Sequence, residues 1–202
     1  MDKKYLLLVL LVSFQMFSQE AYLSFGKNYT KLDYFYGANS IDLKLQSGIG
    51  NHYEVGYKTK LWKNKLDYSV SLQLDDYNAV GNTAFNSYLW QTNFVGLNGG
   101  LHFNALKLAN LSIQPSVNLN LSTMIYGKQS IDGIFYDLKN ESDFKGLWIQ
   151  PSYGLMAFYK TKNLGKLFFG YQYRHSFRSE KSTGEKLNFI TQQLSFGIQF
   201  SV

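Results

Sequence analysis

Leu66-Asp67-Tyr68-Ser69-Val70-Ser71-Leu72-Gln73-Leu74-Asp75 alternates apolar and polar side chains without an exception. A period of two places one set on each face of a strand, whereas a helix would scatter both around its circumference. The same rhythm returns at Leu111, Ile113, Val117, Leu119 and Leu121, set against Ser112, Gln114, Ser116, Asn118, Asn120 and Ser122. It returns again at Leu194, Phe196, Ile198, Phe200 and Val202, against Ser195, Gly197, Gln199 and Ser201.

Weaker alternation supplies the remaining strands. Tyr53, Val55, Tyr57 and Leu61 oppose Glu54, Gly56, Lys58 and Lys60, and Leu167, Phe169, Tyr171 and Tyr173 oppose Gly170, Gln172 and Arg174. Between Leu147 and Tyr159 the apolar set is Ile149, Tyr153, Leu155, Ala157 and Tyr159. Between Tyr88 and Asn104 the phase slips near Gly96, Gly99 and Gly100, which predicts a bulge. The segment Ala21–Tyr36 alternates at Leu23 and Phe25 and changes phase before Leu32 and Tyr34. Pro115 and Pro151 cannot donate to a ladder, so a bulge or a strand end is expected at each.

Eight strands result. Short turns at Lys63–Lys65, Ala105–Asn110 and Lys162–Gly165 alternate with longer links at Gly37–Gly50, Asn78–Ser87, Tyr126–Lys145 and Ser179–Lys186. Short turns on one side and long loops on the other mark transmembrane barrels. The expected fold is all-β, an eight-stranded antiparallel up-and-down transmembrane β-barrel.

Composition agrees. Of 202 residues 45% are apolar and only 17% charged, with 16 Tyr and 16 Phe, which excludes a disordered chain. The absence of cysteine excludes disulfides, thiolate metal sites and a lipoprotein anchor. Lys3 and Lys4, the apolar run from Tyr5 to Val12 with Phe14, Met16 and Phe17, and the polar Ser18-Gln19 read as a secretory signal peptide over residues 1–18. The run is too short for a membrane span, which needs about 20 residues. Residues 19–202 form the barrel domain, and the net charge of +6 drops by one when Asp2, Lys3 and Lys4 leave with the leader.

Alternation does not say which face looks outward; composition does. The polar face is mostly Ser, Gly, Asn and Gln, which suits a narrow interior better than a water-exposed surface. Glu54, Lys58, Asp67, Asp75 and Arg174 are its few charges and are expected to form an interior polar network. Tyr57, Tyr68, Trp148, Tyr159, Tyr171 and Tyr173 on the other face are expected to form interfacial girdles.

The final run, Gln193 to Val202, resembles the C-terminal recognition strand of outer-membrane barrels, although it ends on Val rather than Phe or Tyr. Ser24-Phe25-Gly26-Lys27-Asn28 and the leader end Phe17-Ser18-Gln19 are similar to small Gram-negative barrels of the OmpA/OmpX and PorT-like kind. The resemblance implies a place in the cell outer membrane, insertion by the barrel-assembly machinery, and contact with lipid and lipopolysaccharide. The family it points to hosts structural barrels, adhesins, secretion accessories and a few enzymes.

Chemistry is sparse. His52, His102 and His175 have no partners at metal-ligand spacing, and no nucleophile elbow or phosphate-binding glycine loop occurs, so no cofactor or metal is expected. Arg174-His175-Ser176-Phe177 resembles the region where PagL-like lipid A deacylases carry their Ser and His. Those enzymes place the two residues two apart, on one strand face; here they are adjacent. Asp132, Asp137, Glu141 and Asp143 lack calcium-loop spacing, and the lysines around Trp62 read as a solvated turn rather than a nucleic-acid contact. The expected function is a structural or surface-binding outer-membrane barrel, not a wide porin. The alternatives are a lipid-modifying hydrolase and an accessory barrel of a secretion system.

Overall fold

A computed structural model describes residues 19–36, 45–62, 65–82, 87–139, 141, 144–179 and 185–201. The expected signal peptide lies outside these residues. Eleven strands and no helix occur among them: β1 (Gln19–Tyr36), β2 (Leu45–Trp62), β3 (Leu66–Asp76), β4 (Ala79–Asn82), β5 (Ser87–Phe103), β6 (Leu106–Leu108), β7 (Leu111–Ile131), β8 (Ile134–Asp137), β9 (Trp148–Lys160), β10 (Lys166–Arg178) and β11 (Glu185–Ser201).

All pairings are antiparallel. β3 and β4 form one stave, interrupted at Tyr77 and Asn78, and eight staves run in chain order around a ring. The ring closes where β1 pairs with β11, from Glu20 opposite Ser201 to Tyr36 opposite Glu185. Closure removes the unpaired edges that make open sheets prone to association.

The apolar set faces outward. Val117, Tyr153 and Leu97 are 65%, 62% and 60% exposed, and Leu23, Phe25, Val55, Val70, Leu72, Leu119 and Phe169 are exposed beside them. A continuous greasy belt of this kind far exceeds the few hundred Å² that a water-soluble monomer exposes. Ser24, Ser69, Ser71, Asn98, Ser116, Asn118, Asn120, Ser152 and Ser195 are buried on the inner face. The arrangement is that of a transmembrane barrel, with lipid as the solvent of its outer surface.

Several local features differ from the sequence reading. β1 keeps one phase: Tyr22, Ser24, Asn28, Thr30 and Leu32 all point inward. β5 also keeps one phase, with Trp90, Thr92, Phe94, Gly96, Asn98, Gly100 and His102 inward, and there is no bulge at its glycines. The apparent slips have one cause, since the inward set of both strands turns from small and polar to apolar toward the far end. The register shift lies higher, where Asn93 and Phe94 oppose Tyr126 and Met124. The extra residue, Ile125, belongs to β7, and both Ile125 and Tyr126 therefore face outward.

Neither proline makes a bulge or ends a strand. Pro115 and Pro151 pair across the β7–β9 seam with Leu155 and Leu119. Pro115 falls between the last β5 partner, Ser116 opposite His102, and the first β6 partner, Ile113 opposite Leu106. Pro151 falls where the β9–β10 ladder is interrupted, between Ser152–Arg174 and Ile149–Phe177. The missing N–H is tolerated because each site coincides with a gap in one ladder.

The expected long links are partly strand. β2 starts at Leu45, β4 extends the third stave to Asn82, and β7 runs 21 residues to Ile131 before turning into β8. Asp132 (φ 50°) and Gly133 (φ 84°) make this turn in the left-handed region, which a tight hairpin requires. Below it the Gly127 carbonyl accepts from Leu138 N at 3.0 Å, and buried Leu138 and Phe144 anchor the base of the hairpin.

Candidate functional site

The inner face stacks three layers. Nearest the far end is an apolar cluster that includes Leu32, Tyr77, Trp90, Phe94, Phe144, Trp148 and Phe189. Trp148 and Phe189 stack with ring centroids 4.4 Å apart and planes at 16°, and Phe94 meets both edge-on. Trp148 is fully buried and donates from Nε1 to Phe144 O at 3.2 Å, so it is a lumen residue and not the girdle aromatic expected from its residue type. Tyr57, Tyr159 and Tyr171 do face outward, joined by Trp62, Phe103 and Tyr126.

Below this cluster lies the polar layer. Arg174, fully buried on β10, reaches Asp75 on β3, four staves away in either direction around the ring. Its Nη1 donates to Asp75 Oδ2 at 2.8 Å and to the Tyr77 hydroxyl at 2.7 Å. Its Nη2 donates to Gln73 Oε1 at 3.1 Å and to Gln193 Oε1 at 3.0 Å. The guanidinium is thus a crossbar between opposite walls, and its planar fork matches several acceptors at once.

The chain of polar contacts continues from Asp75. Asn28 donates to Asp75 Oδ1 at 2.9 Å, and His52 Nδ1 lies 2.7 Å from the same oxygen. The other nitrogen of His52 is 3.5 Å from Glu54 Oε2. Glu54 Oε1 accepts from Tyr22 at 2.8 Å and from Ser71 at 2.5 Å. On the opposite wall Gln150 Oε1 accepts from Tyr77 at 3.0 Å and from Asn120 at 2.9 Å.

The third layer, nearer the turns that join β2 to β3 and β9 to β10, mixes rings and charges. Tyr22, Met156, Phe158 and Phe168 cluster there. Gly56 and Gly197 make room for them: a Cβ at Gly56 would lie 2.8 Å from the Tyr22 ring, and one at Gly197 would meet the Phe168 ring. Lys58 bonds Gln114, lies 4.0 Å from Asp67 Oδ2, and sits 4.6 Å above the Phe158 ring.

The five charges singled out from sequence therefore all point inward but form two groups. Arg174, Asp75 and Glu54 belong to one, linked through His52; Lys58 and Asp67 form the other. Sequence reasoning missed His52, Gln73, Tyr77, Gln150 and Gln193. The parity of His52 with Glu54 is the available signal, but the sequence reading weighs His52 only as a metal ligand.

The lumen offers little for catalysis. The space between the polar and lower layers is about 20 Å³, room for a water or so. It is bordered by Ser69 and His102, whose Oγ and Nε2 are 2.8 Å apart. His102 Nδ1 has no hydrogen-bonding partner among the described residues, so no carboxylate orients the ring as a serine hydrolase requires. His175 is exposed on the outer face beside Phe177, while Ser176 is fully buried on the inner face. The pair stands on opposite sides of the wall. No group of three or more His, Cys, Asp or Glu able to hold a metal occurs among the described residues.

No protein-family model matches the chain, and no curated protein matches it in sequence. Solved structures are similar to it in fold. The attachment invasion locus protein Ail of Yersinia pestis is 12% identical, with 90% of this chain and 98% of that chain covered at a TM-score of 0.47. The outer membrane protein OprG of Pseudomonas aeruginosa is 9% identical, with 92% and 97% covered at 0.48. The outer membrane enzyme PagL is 11% identical, with 89% and 98% covered at 0.41. By its own geometry this chain is an eight-stranded transmembrane β-barrel with a filled lumen.

Proposed function

We propose that the protein is an integral outer-membrane barrel that does not conduct and acts through its end surfaces, in a structural or surface-binding role. One observation carries this reading: side chains fill the lumen in three successive layers, so neither solute transport nor lumenal catalysis has a path. The end with short turns faces the periplasm and the far end faces outward, following the usual polarity of such barrels. Lipid and lipopolysaccharide are the partners of the belt, and the barrel-assembly machinery is the partner during insertion through β11.

At the outward end the β7–β8 hairpin is the surface best suited to a partner. Ile134, Phe135 and Tyr136 are all well exposed at its tip, and Lys128 Nζ lies 3.4 Å from the Phe135 ring centroid. Exposed apolar and aromatic groups on a firmly anchored hairpin match the composition of protein-binding hot spots. The test combines membrane fractionation, migration on a detergent gel with and without boiling, and conductance in planar bilayers. Recovery from the outer membrane, a heat-dependent shift and no open-channel steps are expected. Recovery only from the soluble periplasm overturns the reading.

A further inference from the structure

At the end where β1 begins and β11 stops, the barrel mouth is a vestibule of about 320 Å³. Two carboxylates line it, and each has an ammonium of its own. Glu20 Oε1 accepts from Lys166 Nζ at 2.5 Å, and Asp67 lies 4.0 Å from Lys58 Nζ in the roof. Three more lysines line the same space: Lys60 from β2, Lys107 from β6 and Lys160 from β9. None of the three forms an ion pair with a carboxylate among the described residues.

Three uncompensated charges thus converge from three separate elements on one concavity. Lysines on a flat face are screened singly by water; in a concave mouth backed by Phe158 and Leu111 their fields add. The rim is also strained. Ala109 at φ 40° holds the β6–β7 turn in the left-handed region, which alanine rarely adopts. Strain of this kind gathers at ligand sites when the surrounding structure enforces it.

We infer that the vestibule binds a phosphate-bearing anion, clamped by Lys60, Lys107 and Lys160. A carboxylate carries a single charge and would leave most of the excess unmatched, whereas a phosphomonoester or diphosphate carries more and presents oxygens in several directions. Two sources share this chemistry, a lipid headgroup at the membrane surface and a soluble phosphate. The site depends on the folded barrel and not on which compartment its mouth faces.

The test uses the whole barrel folded in an uncharged maltoside detergent. Inorganic pyrophosphate is titrated by calorimetry, and phosphatidic acid is compared with phosphatidylcholine by native mass spectrometry. One-to-one pyrophosphate binding that weakens with salt is expected, falling about tenfold or more in Lys60→Gln/Lys107→Gln/Lys160→Gln. Lys139→Gln/Lys145→Gln, exposed at the far end, should bind as the parent does. Heat-dependent gel migration shows that each variant is folded. Binding of phosphatidic acid alone, with the same lysine dependence, keeps the site and assigns the headgroup as the source. Binding that ignores the three lysines, or failure of both probes, overturns the inference.

Discussion

Arg174 is the residue on which opposite walls of the barrel depend most directly. Its partners belong to β3 and β11 as well as to Tyr77, and it is fully buried. Arg174→Ala strips the buried Asp75 carboxylate of its guanidinium and leaves only His52 and Asn28 beside it, which should destabilise by about 3–5 kcal/mol. Asp75→Asn should cost less, because the amide oxygen can still accept from Arg174 or Asn28. In Arg174→Ala/Asp75→Asn both charges are gone, and the double loss should fall short of the sum by about 0.5–3 kcal/mol. Urea unfolding of the detergent-folded variants, read by gel migration, measures the cycle; strict additivity would deny the crossbar. That Arg174, Asp75 and Glu54 share the polar face was legible from parity, and the composition of that face turned it inward. Their connection was not, because parity names a face and says nothing of height along the stave or of the wall opposite. Both are set by register, which only the closed ring defines.

At the scale of the element, β9 shows where residue type misleads. Trp148 begins it, and an aromatic beside a polar face reads as a girdle residue until its position is known. Parity in fact places it with Gln150 and Ser152, inside; its chemistry, not its phase, pointed the wrong way. The same exchange explains Leu32 on β1 and Trp90 and Phe94 on β5. The inner face becomes mostly apolar at the far end because rings fill most of the volume beyond Arg174, with Ser176 a polar exception. Trp148→Ala removes the ring stacked on Phe189 and should cost about 3–5 kcal/mol, as large-to-small changes in packed cores do. Tyr159→Ala, on the outer face of the same strand, touches lipid instead and should cost clearly less. Equal losses at the two positions, in the same unfolding assay, would contradict the inward placement of Trp148.

For the whole molecule the three layers act in series. Ions crossing the barrel must pass each of them, so the tightest layer sets the flow, and widening one leaves the others closed. Trp148→Ala/Phe189→Ala therefore opens a hollow at the far end but no path, since the Arg174 layer and the Phe158–Phe168 layer remain below it. Arg174→Ala alone leaves both apolar layers in place. Only a variant that thins all three, such as Phe189→Ala/Arg174→Ala/Phe168→Ala, should show channel openings in a planar bilayer, provided its gel migration still reports a folded barrel. Eight strands set this behaviour in advance, because a barrel of that size leaves an interior just wide enough for side chains. Conductance in the parent protein would mean that the layers part in the membrane. Conductance in the Trp148/Phe189 variant alone would place the whole barrier in the aromatic layer and make the Arg174 crossbar a structural tie only.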